Sequence, residues 1–187
     1  MEQKQSVKKP FSLVDQSVYS LIKSDKITPD TISTLPIPYE LKEMLHGFYS
    51  EIQKAEGGYK KDLLTMLNLY KSGEKFTSEC DKRFLYDLLI SSAHEGNKSL
   101  IKFLLFLGAD VNAHYRFGDT ALMWAVGAGH IEIVKLLLEL GANINAQAER
   151  GGPSHPNHYT ALGVATEKGY AEIVNLLKEA GARFEFF

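Results

Sequence analysis

The single cysteine has the most reactive side chain in this sequence. Cys80 is the only cysteine among 187 residues, and a thiol acts as a catalytic nucleophile only beside a base that is itself held in place. No motif supplies that arrangement, so a small, partly buried residue in a linker or helix start is the simpler interpretation. The sequence also lacks a phosphate-binding glycine loop, a nucleophile elbow and paired carboxylates in a catalytic motif. We predict that the protein is not an enzyme, has no catalytic residue and needs no cofactor.

Three histidines raise the question of a metal site. His155 and His158 share one segment, and His114 lies earlier in the chain. A structural zinc site takes four ligands, commonly with cysteine or carboxylate among them, and no such set is visible. Histidines on hydrated loops agree better with the sequence, and no metal ligand is predicted.

A group of aromatic and charged residues is suited to recognising another protein. Tyrosine, tryptophan and arginine are enriched at the energetic centres of protein interfaces, and several of these lie close together in the segment YRFGDTALMW. For Trp124, packing between helices is the alternative to a role in binding. The predicted target-binding residues are Tyr115, Arg116, Phe117, Asp119, Trp124 and Tyr159.

The composition argues against several other partners and locations. Basic and acidic residues nearly balance, 21 against 23, with a formal net charge of −2. Nucleic-acid binders usually carry a basic face because phosphate neutralisation supplies most of their affinity, so no nucleic acid is expected. The apolar runs are too short to span a bilayer, and Met1–Pro10 lacks the apolar core of a secretory signal. A single cysteine suits a reducing compartment, so we expect a cytoplasmic protein, or one in the host cytosol if it is a bacterial effector.

The elements that must position the candidate binding residues are three similar segments. Gly96 and Gly129 are separated by the same interval as Asn112 and Asn145, and the third segment follows after a longer interval because it carries an insertion. A period of about 33 residues is typical of stacked helical repeats, in which no unit buries its apolar face alone. The segments read SSAHEGNKSLIKFLLFLGADVNA, TALMWAVGAGHIEIVKLLLELGANINA and TALGVATEKGYAEIVNLLKEAGAR.

The region from Asp81 to Arg183 resembles the ankyrin family, whose unit is a β-hairpin tip followed by two antiparallel helices. The resemblance implies an all-α stack of about three repeats that binds a protein target. The family's Thr-Pro-Leu-His signature survives only as Thr120-Ala121-Leu122-Met123 and Thr160-Ala161-Leu162-Gly163, with Asp87-Leu88-Leu89-Ile90 in the first unit. This departure implies that the family's Thr–His hydrogen bonds between repeats are missing.

The middle segment also predicts its two helices from physical chemistry alone. Thr120 is a suitable N-cap for a helix over Ala121–Ala128, and Gly129 permits the backbone conformation that ends it. A second helix is predicted over Ile131–Leu140, ended by Gly141. Its predicted buried stripe consists of Ile133, Val134, Leu137 and Leu138.

The residues before the repeats are also predicted to be helical. The segment Tyr39–Lys71 carries an apolar stripe at helical spacing, formed by Leu41, Leu45, Phe48 and Ile52. Such a segment is well placed to cap a stack of three repeats, which is near the minimum for stability. Ala55–Tyr70 is alternatively a degenerate repeat.

Two short motifs occupy the N-terminal region. Leu13, Ser17 and Leu21 lie on one face of a helix at i, i+4 and i+8, where the small serine leaves a slot for a partner. The second motif is Leu35-Pro36-Ile37-Pro38, in which the prolines hold two apolar residues in a stiff extended strip.

These two motifs resemble a SOCS box. That family's Elongin-binding helix has leucine, a small residue and an aliphatic residue at the spacing of Leu13, Ser17 and Leu21, and its cullin-selecting motif is Leu-Pro-aliphatic-Pro. The resemblance implies recruitment of Elongin B/C and a cullin scaffold by a substrate receptor of a ubiquitin ligase. Serine replaces the commoner cysteine, and the box precedes the repeats instead of following them. The alternatives are a helical cap with Leu13 and Leu21 buried, or an F-box-like segment.

Two further segments are predicted not to form regular structure. The loop over residues 147–158 contains two glycines and two prolines, and it is either part of the binding face or a tolerated insertion. The terminal Phe184-Glu185-Phe186-Phe187 either covers the last repeat or forms a self-association patch. We divide the chain into a disordered tail (1–10), a helical region (11–80) with the SOCS-like segment at 11–50, and ankyrin repeats (81–187).

Overall fold

The computed structural model describes residues 32–34, 39–54, 79–114, 117–149 and 159–183. The chain forms two compact units, Met1–Phe76 and Thr77–Phe187.

The described part of the first unit is one long helix and the short segment before it. Helix α1 (Tyr39–Lys54) begins where the sequence predicts, and residues 55–71 of the predicted helical segment lie outside the described residues. Ser33 is held against α1, since its carbonyl oxygen accepts a hydrogen bond from Nζ of Lys42 at 2.9 Å and its hydroxyl is hydrogen-bonded to Nε2 of His46 at 3.2 Å. Among the residues of this unit whose burial is described, Ile32, Met44, Leu45 and Phe48 are buried and apolar. The predicted stripe is therefore confirmed at Leu45 and Phe48.

The described residues of the second unit form three helical hairpins. They are α2 (Glu79–Glu95) with α3 (Lys98–Phe106), α4 (Ala121–Ala128) with α5 (Ile131–Glu139), and α6 (Ala161–Glu167) with α7 (Ala171–Glu179). We call them the first, second and third repeats. Helix α4 packs between α2 and α6, and α5 packs against α7. The predicted all-α repeat stack is therefore confirmed.

The ends of the helices follow the local sequence. Thr120 and Thr160 cap α4 and α6, because their hydroxyl oxygens accept hydrogen bonds from the backbone N–H groups of Met123 and Gly163. Asn97 caps α3 in the same way. Gly129 ends α4 with a φ of 78°, in the left-handed region that glycine adopts without a steric penalty. The predicted caps of α4 are thus confirmed.

Helix α5 differs in two details from its prediction. It ends at Glu139, and Leu140 is the C-cap residue. Ile133, Val134 and Leu137 are buried as predicted, but Leu138 is half-buried and Leu136 is buried in its place. At about 100° per residue, Leu136 and Leu138 lie on opposite edges of the stripe. The periodicity of one helix therefore could not decide which edge the rest of the stack covers.

Asparagine side chains connect the ends of successive repeats. Nδ2 of Asn112 donates a hydrogen bond to the carbonyl oxygen of Gly141 at 3.1 Å, and its Oδ1 accepts one from the backbone N–H of Asn143 at 2.6 Å. Asn145, at the same position one repeat later, accepts from the backbone N–H of Arg183 at 3.0 Å. The recurrence of asparagine at this repeat position thus reflects a repeated structural role.

Aromatic side chains also connect the repeats. Nε2 of His130 donates to the carbonyl oxygen of His94 at 2.9 Å, and the buried hydroxyl of Tyr86 donates to the carbonyl oxygen of Asp119 at 3.0 Å. Thr120, by contrast, uses its hydroxyl to cap its own helix. Hydrogen bonds between repeats are therefore formed here by residues outside the Thr-Pro-Leu-His positions.

Candidate functional site

The predicted binding residues at the tip of the second repeat lie in different environments. Phe117 has 58% of its surface exposed, whereas Asp119 is buried with 8% exposed. Tyr115 and Arg116 lie outside the described residues. Phe117 therefore remains available for contact, while most of Asp119 is covered by the stack.

The backbone around Phe117 is fixed by the segment that enters the third repeat. The carbonyl oxygen of Phe117 accepts a hydrogen bond from the backbone N–H of Glu149 at 2.6 Å. Gly118 has a φ of 77°, and a Cβ at this position would lie 2.5 Å from the carbonyl oxygen of Gln147. The exposed phenyl ring of Phe117 is thus carried on a backbone that is tied to the next repeat.

Trp124 lies at the surface of α4 with its side chain half-buried. Its ring lies 5.7 Å from the ring of His94, centroid to centroid, at an interplanar angle of 32°. His94 belongs to α2, so this contact joins the first and second repeats. The indole is thus partly packed between helices and partly accessible, and its role in binding stays a prediction.

A recess of about 180 Å³ opens beside the Trp124 ring. All three repeats contribute to it, since His94 comes from α2, Trp124 and Gly127 from α4, and Lys168 from the end of α6. Asp119 and Tyr159, which precede the caps of α4 and α6, border it as well. Asp119, Trp124 and Tyr159, all predicted to bind the target, are thus brought together around one cavity.

The recess is lined by both apolar and ionisable residues. Helix α4, ALMWAVGA, contains no ionisable residue, and its Met123 and Ala128 complete the wall. Lys168 and His94 are exposed, and the Asp119 side chain is largely buried. Aromatic and apolar residues beside polar ones are the usual composition of a site that binds another protein.

His94 and Lys168 also line the recess, although neither was predicted from the sequence to bind the target. A signal for both was present in the repeat alignment, because His94 holds in the first repeat the position of Gly127 in the second, and Lys168 holds in the third repeat the position of Ala128. Residues at one repeat position lie side by side in a stack. Aligning the repeats column by column would therefore have placed both residues beside the end of α4.

The SOCS-like motifs lie outside the described residues. Leu13, Ser17 and Leu21 fall in the segment before residue 32, and Leu35, Pro36, Ile37 and Pro38 fall between two described segments. What the structure describes is the surroundings of the second motif, namely Ser33 before it and α1 after it, joined by the hydrogen bonds given above.

In the described part of the chain no group of three or more His, Cys, Asp or Glu side chains is placed to hold a metal ion. His114 is exposed, and His155 and His158 lie outside the described ranges. None of the helices in the described part of the chain is sufficiently long and apolar to cross a membrane.

The family model described as Ankyrin repeats (3 copies) matches residues 61–186, which is more than half of the chain. The sequence pattern places the start of the repeats at Asp81, and the family match begins ahead of this residue. No curated protein matches the chain.

Proposed function

Since the chain belongs to the ankyrin-repeat family, and repeats of this kind indicate a protein partner, we propose that it is an adaptor in protein ubiquitination. In this proposal the repeats bind a target protein, and the N-terminal segment recruits Elongin B/C and a cullin ligase. The site of action is the cytoplasm, or the host cytosol if the chain is a bacterial effector.

The recess beside Trp124 is the observation that supports target binding. It combines a partly exposed tryptophan, a tyrosine and small residues, and helices of three repeats hold these residues in place. Tryptophan and tyrosine supply much of the energy of protein interfaces when they line a preformed pocket. A rigid scaffold also lowers the entropic cost of ordering the binding residues.

The ligase arm is supported by the sequence of the N-terminal segment. Leu13, Ser17 and Leu21 have the spacing of an Elongin-binding helix, and Leu35-Pro36-Ile37-Pro38 has the composition and order of a cullin-selecting motif. Helix α1 follows the second motif directly and starts with Tyr39. The two motifs together form the basis of the proposal, because the first alone is common among amphipathic helices.

Co-expression with Elongin B/C tests the ligase arm. We expect the intact chain to co-elute with Elongin B/C, and we expect Leu13→Asp/Leu21→Asp to abolish co-elution, because charge on the docking face cannot be buried without a partner. Tyr19→Asp is the matched control, since Tyr19 lies on the opposite face of the predicted helix. It should retain the complex.

The competing function is a plain ankyrin scaffold or inhibitor whose N-terminal helices only cap the stack. In that case the intact chain binds no Elongin B/C, and Leu13→Asp/Leu21→Asp lowers the thermal midpoint because buried leucines become charged. Circular dichroism of the same variants therefore separates the two functions. A folded double variant that loses a complex formed by the intact chain supports the adaptor.

A further inference from the structure

Helices α5 and α7 have the same apolar pattern but not the same burial. Helix α5 contains Ile-Val-Lys-Leu-Leu, and α7 contains Ile-Val-Asn-Leu-Leu at the equivalent repeat positions. Val134 and Leu136 of α5 are buried, whereas their counterparts in α7, Val174 and Leu176, are only half-buried. The residue types are identical, so the difference comes from the surroundings: α5 packs against α7, and in the described part of the second unit no helix follows α7. We call Val174 and Leu176 the open face of α7.

The two helices of the third repeat differ in how well they suit an end position. A stack of repeats is normally closed by a repeat whose outer surface is polar. Helix α6 follows this rule, because Thr166 is exposed at the position where α4 has the buried Val126. Helix α7 does not, because it keeps the valine and leucine of an interior repeat at its open face. The end of the third repeat is therefore adapted to water at α6 but not at α7.

The chain leaves α7 along the path by which it leaves α5. The backbone N–H of Asn143 donates a hydrogen bond to Oδ1 of Asn112 in the preceding repeat. The backbone N–H of Arg183 donates to Oδ1 of Asn145 in the same way. Beyond Asn143 the chain continues into the third repeat. The same path beyond Arg183 leads to the side of α7 on which a following repeat would lie.

The sequence that takes this path is strongly apolar. Residues 184–187 lie outside the described residues, and they read Phe-Glu-Phe-Phe. Phe186 and Phe187 hold the repeat positions of Ala146 and Gln147. Two large aromatic rings thus replace one small and one polar residue at the point where the chain reaches the open face.

Glu185 departs from the repeat pattern as well. It holds the position at which Asn112 and Asn145 bond to the following repeat. A carboxylate has no N–H group to donate, whereas Asn112 donates one to the carbonyl oxygen of Gly141. The segment therefore loses the amide that connects one repeat to the next and gains aromatic side chains.

The segment is long enough to reach the open face. Four extended residues span at most about 13 Å. Leu176 and Val174 lie about 6 Å and about 9 Å along the helix axis from Ala180, the C-cap residue of α7. An aromatic side chain buries roughly 150–250 Å² when it is fully covered, so two rings are sufficient for two aliphatic side chains.

We propose that Phe186 and Phe187 pack on Val174 and Leu176, so that the segment after Arg183 closes the end of the stack in place of a following repeat. The open face of α7 is then an interface within the chain and not a second surface for a target protein. This inference goes beyond the proposed function and depends on neither of its two arms.

NMR spectroscopy of the full chain with isotope-labelled methyl groups tests the contact directly. We expect nuclear Overhauser effects between the methyl groups of Val174 and Leu176 and the ring protons of Phe186 and Phe187. A mixture of labelled and unlabelled chains separates contacts within one chain from contacts between two copies. Effects within one chain support the proposal. Absence of these effects, or their appearance only between copies, overturns it.

Substitution of the two rings tests what the contact does. Phe186→Ser/Phe187→Ser should lower the thermal midpoint by about 5 °C, because apolar surface on α7 returns to water. Hydrogen exchange of the α7 amides should rise at least about tenfold more than that of the α4 amides, because the end of the stack then opens locally. The matched control is Phe117→Ser, since Phe117 is 58% exposed, and its midpoint should stay within about 1 °C of that of the unmodified chain. An unchanged midpoint and unchanged exchange in the double variant overturn the inference.

Discussion

The junction between the first and second repeats and the junction between the second and third repeats use one repeat position in different ways. His130, directly before α5, donates its Nε2–H to the carbonyl oxygen of His94. Tyr170, directly before α7, lies with its ring against Gly129, so that a Cβ on this glycine would be 3.3 Å from Cζ of Tyr170. At the first junction the ring at this position also donates a hydrogen bond to the preceding repeat, whereas at the second junction it is a tyrosine ring packed on the glycine.

The comparison shows that both junctions keep a ring at this repeat position, whereas the kind of contact that the ring makes differs between them. In both junctions a ring follows the turn between two helices and covers the glycine of the preceding repeat, Gly96 under His130 and Gly129 under Tyr170. A flat ring and a bare glycine backbone let the repeats approach closely. Hydrogen bonding is then a local addition to that shared geometry.

Gly96→Ala and Gly129→Ala should cause the largest losses in unfolding free energy among these substitutions, and the two losses should differ in size. Both positions have positive φ, 75° at Gly96 and 78° at Gly129, which costs a non-glycine residue roughly 1–2 kcal/mol. Gly96→Ala also pushes against His130, at 3.1 Å from the added Cβ, and disturbs its hydrogen bond. We expect a loss of about 3 kcal/mol for Gly96→Ala and about 2 kcal/mol for Gly129→Ala in urea unfolding. A larger loss at Gly129 would show that the polar contact adds nothing.

Removal of the connecting asparagines should give intermediate effects. Asn112 uses both its donor and its acceptor across the first junction, and Asn145 accepts from Arg183 across the second. We expect losses in unfolding free energy of about 2 kcal/mol for Asn112→Ala and about 1 kcal/mol for Asn145→Ala, at roughly 1 kcal/mol per hydrogen bond. Asn112→Asp is the control, because it can still accept the hydrogen bond from the backbone N–H of Asn143 but cannot donate one to the carbonyl oxygen of Gly141. Its stability should lie between those of the unmodified chain and Asn112→Ala.

The substitution His130→Tyr should have the smallest effect on the unfolding free energy. His130→Tyr gives the first junction the chemistry of the second, since it loses the hydrogen bond to His94 and gains aromatic area over Gly96. These changes oppose each other, so we expect a net change below about 1 kcal/mol in unfolding free energy. Thermal unfolding of His130→Tyr beside His130→Ala measures it. If the tyrosine variant is as unstable as the alanine variant, the ring positions are not equivalent.

The repeat architecture could be predicted because its signals are local. The spacing of Gly96, Gly129 and Gly169 and the threonines at 120 and 160 each depend on one turn or one cap. Each of the three glycines has positive φ in the structure, and both threonines cap a helix.

The parts that were missed depend on how the repeats stack. The burial of Asp119, which is only 8% exposed, was not predicted, because the burial of a residue just before a repeat helix depends on the neighbouring repeats. Leu136 and Leu138 were confused for the same reason, since two edges of one helix are equivalent until another helix covers one of them. The recess likewise needs His94 and Lys168 from two other repeats, which no single segment of sequence reveals.

A pair of backbone hydrogen bonds closes the base of the segment between the second and third repeats, and this pairing affects how the protein can change over evolutionary time. Ala148 and Tyr159 exchange two backbone hydrogen bonds, of 2.9 and 3.1 Å, so the ends of the intervening segment are held together whatever its length. The entropy of closing a loop grows only with the logarithm of its length, at about 0.6 kcal/mol for each doubling. Insertions and deletions at this point are therefore nearly neutral for the stack, and sequence can be gained or lost here while the paired residues at the base are kept.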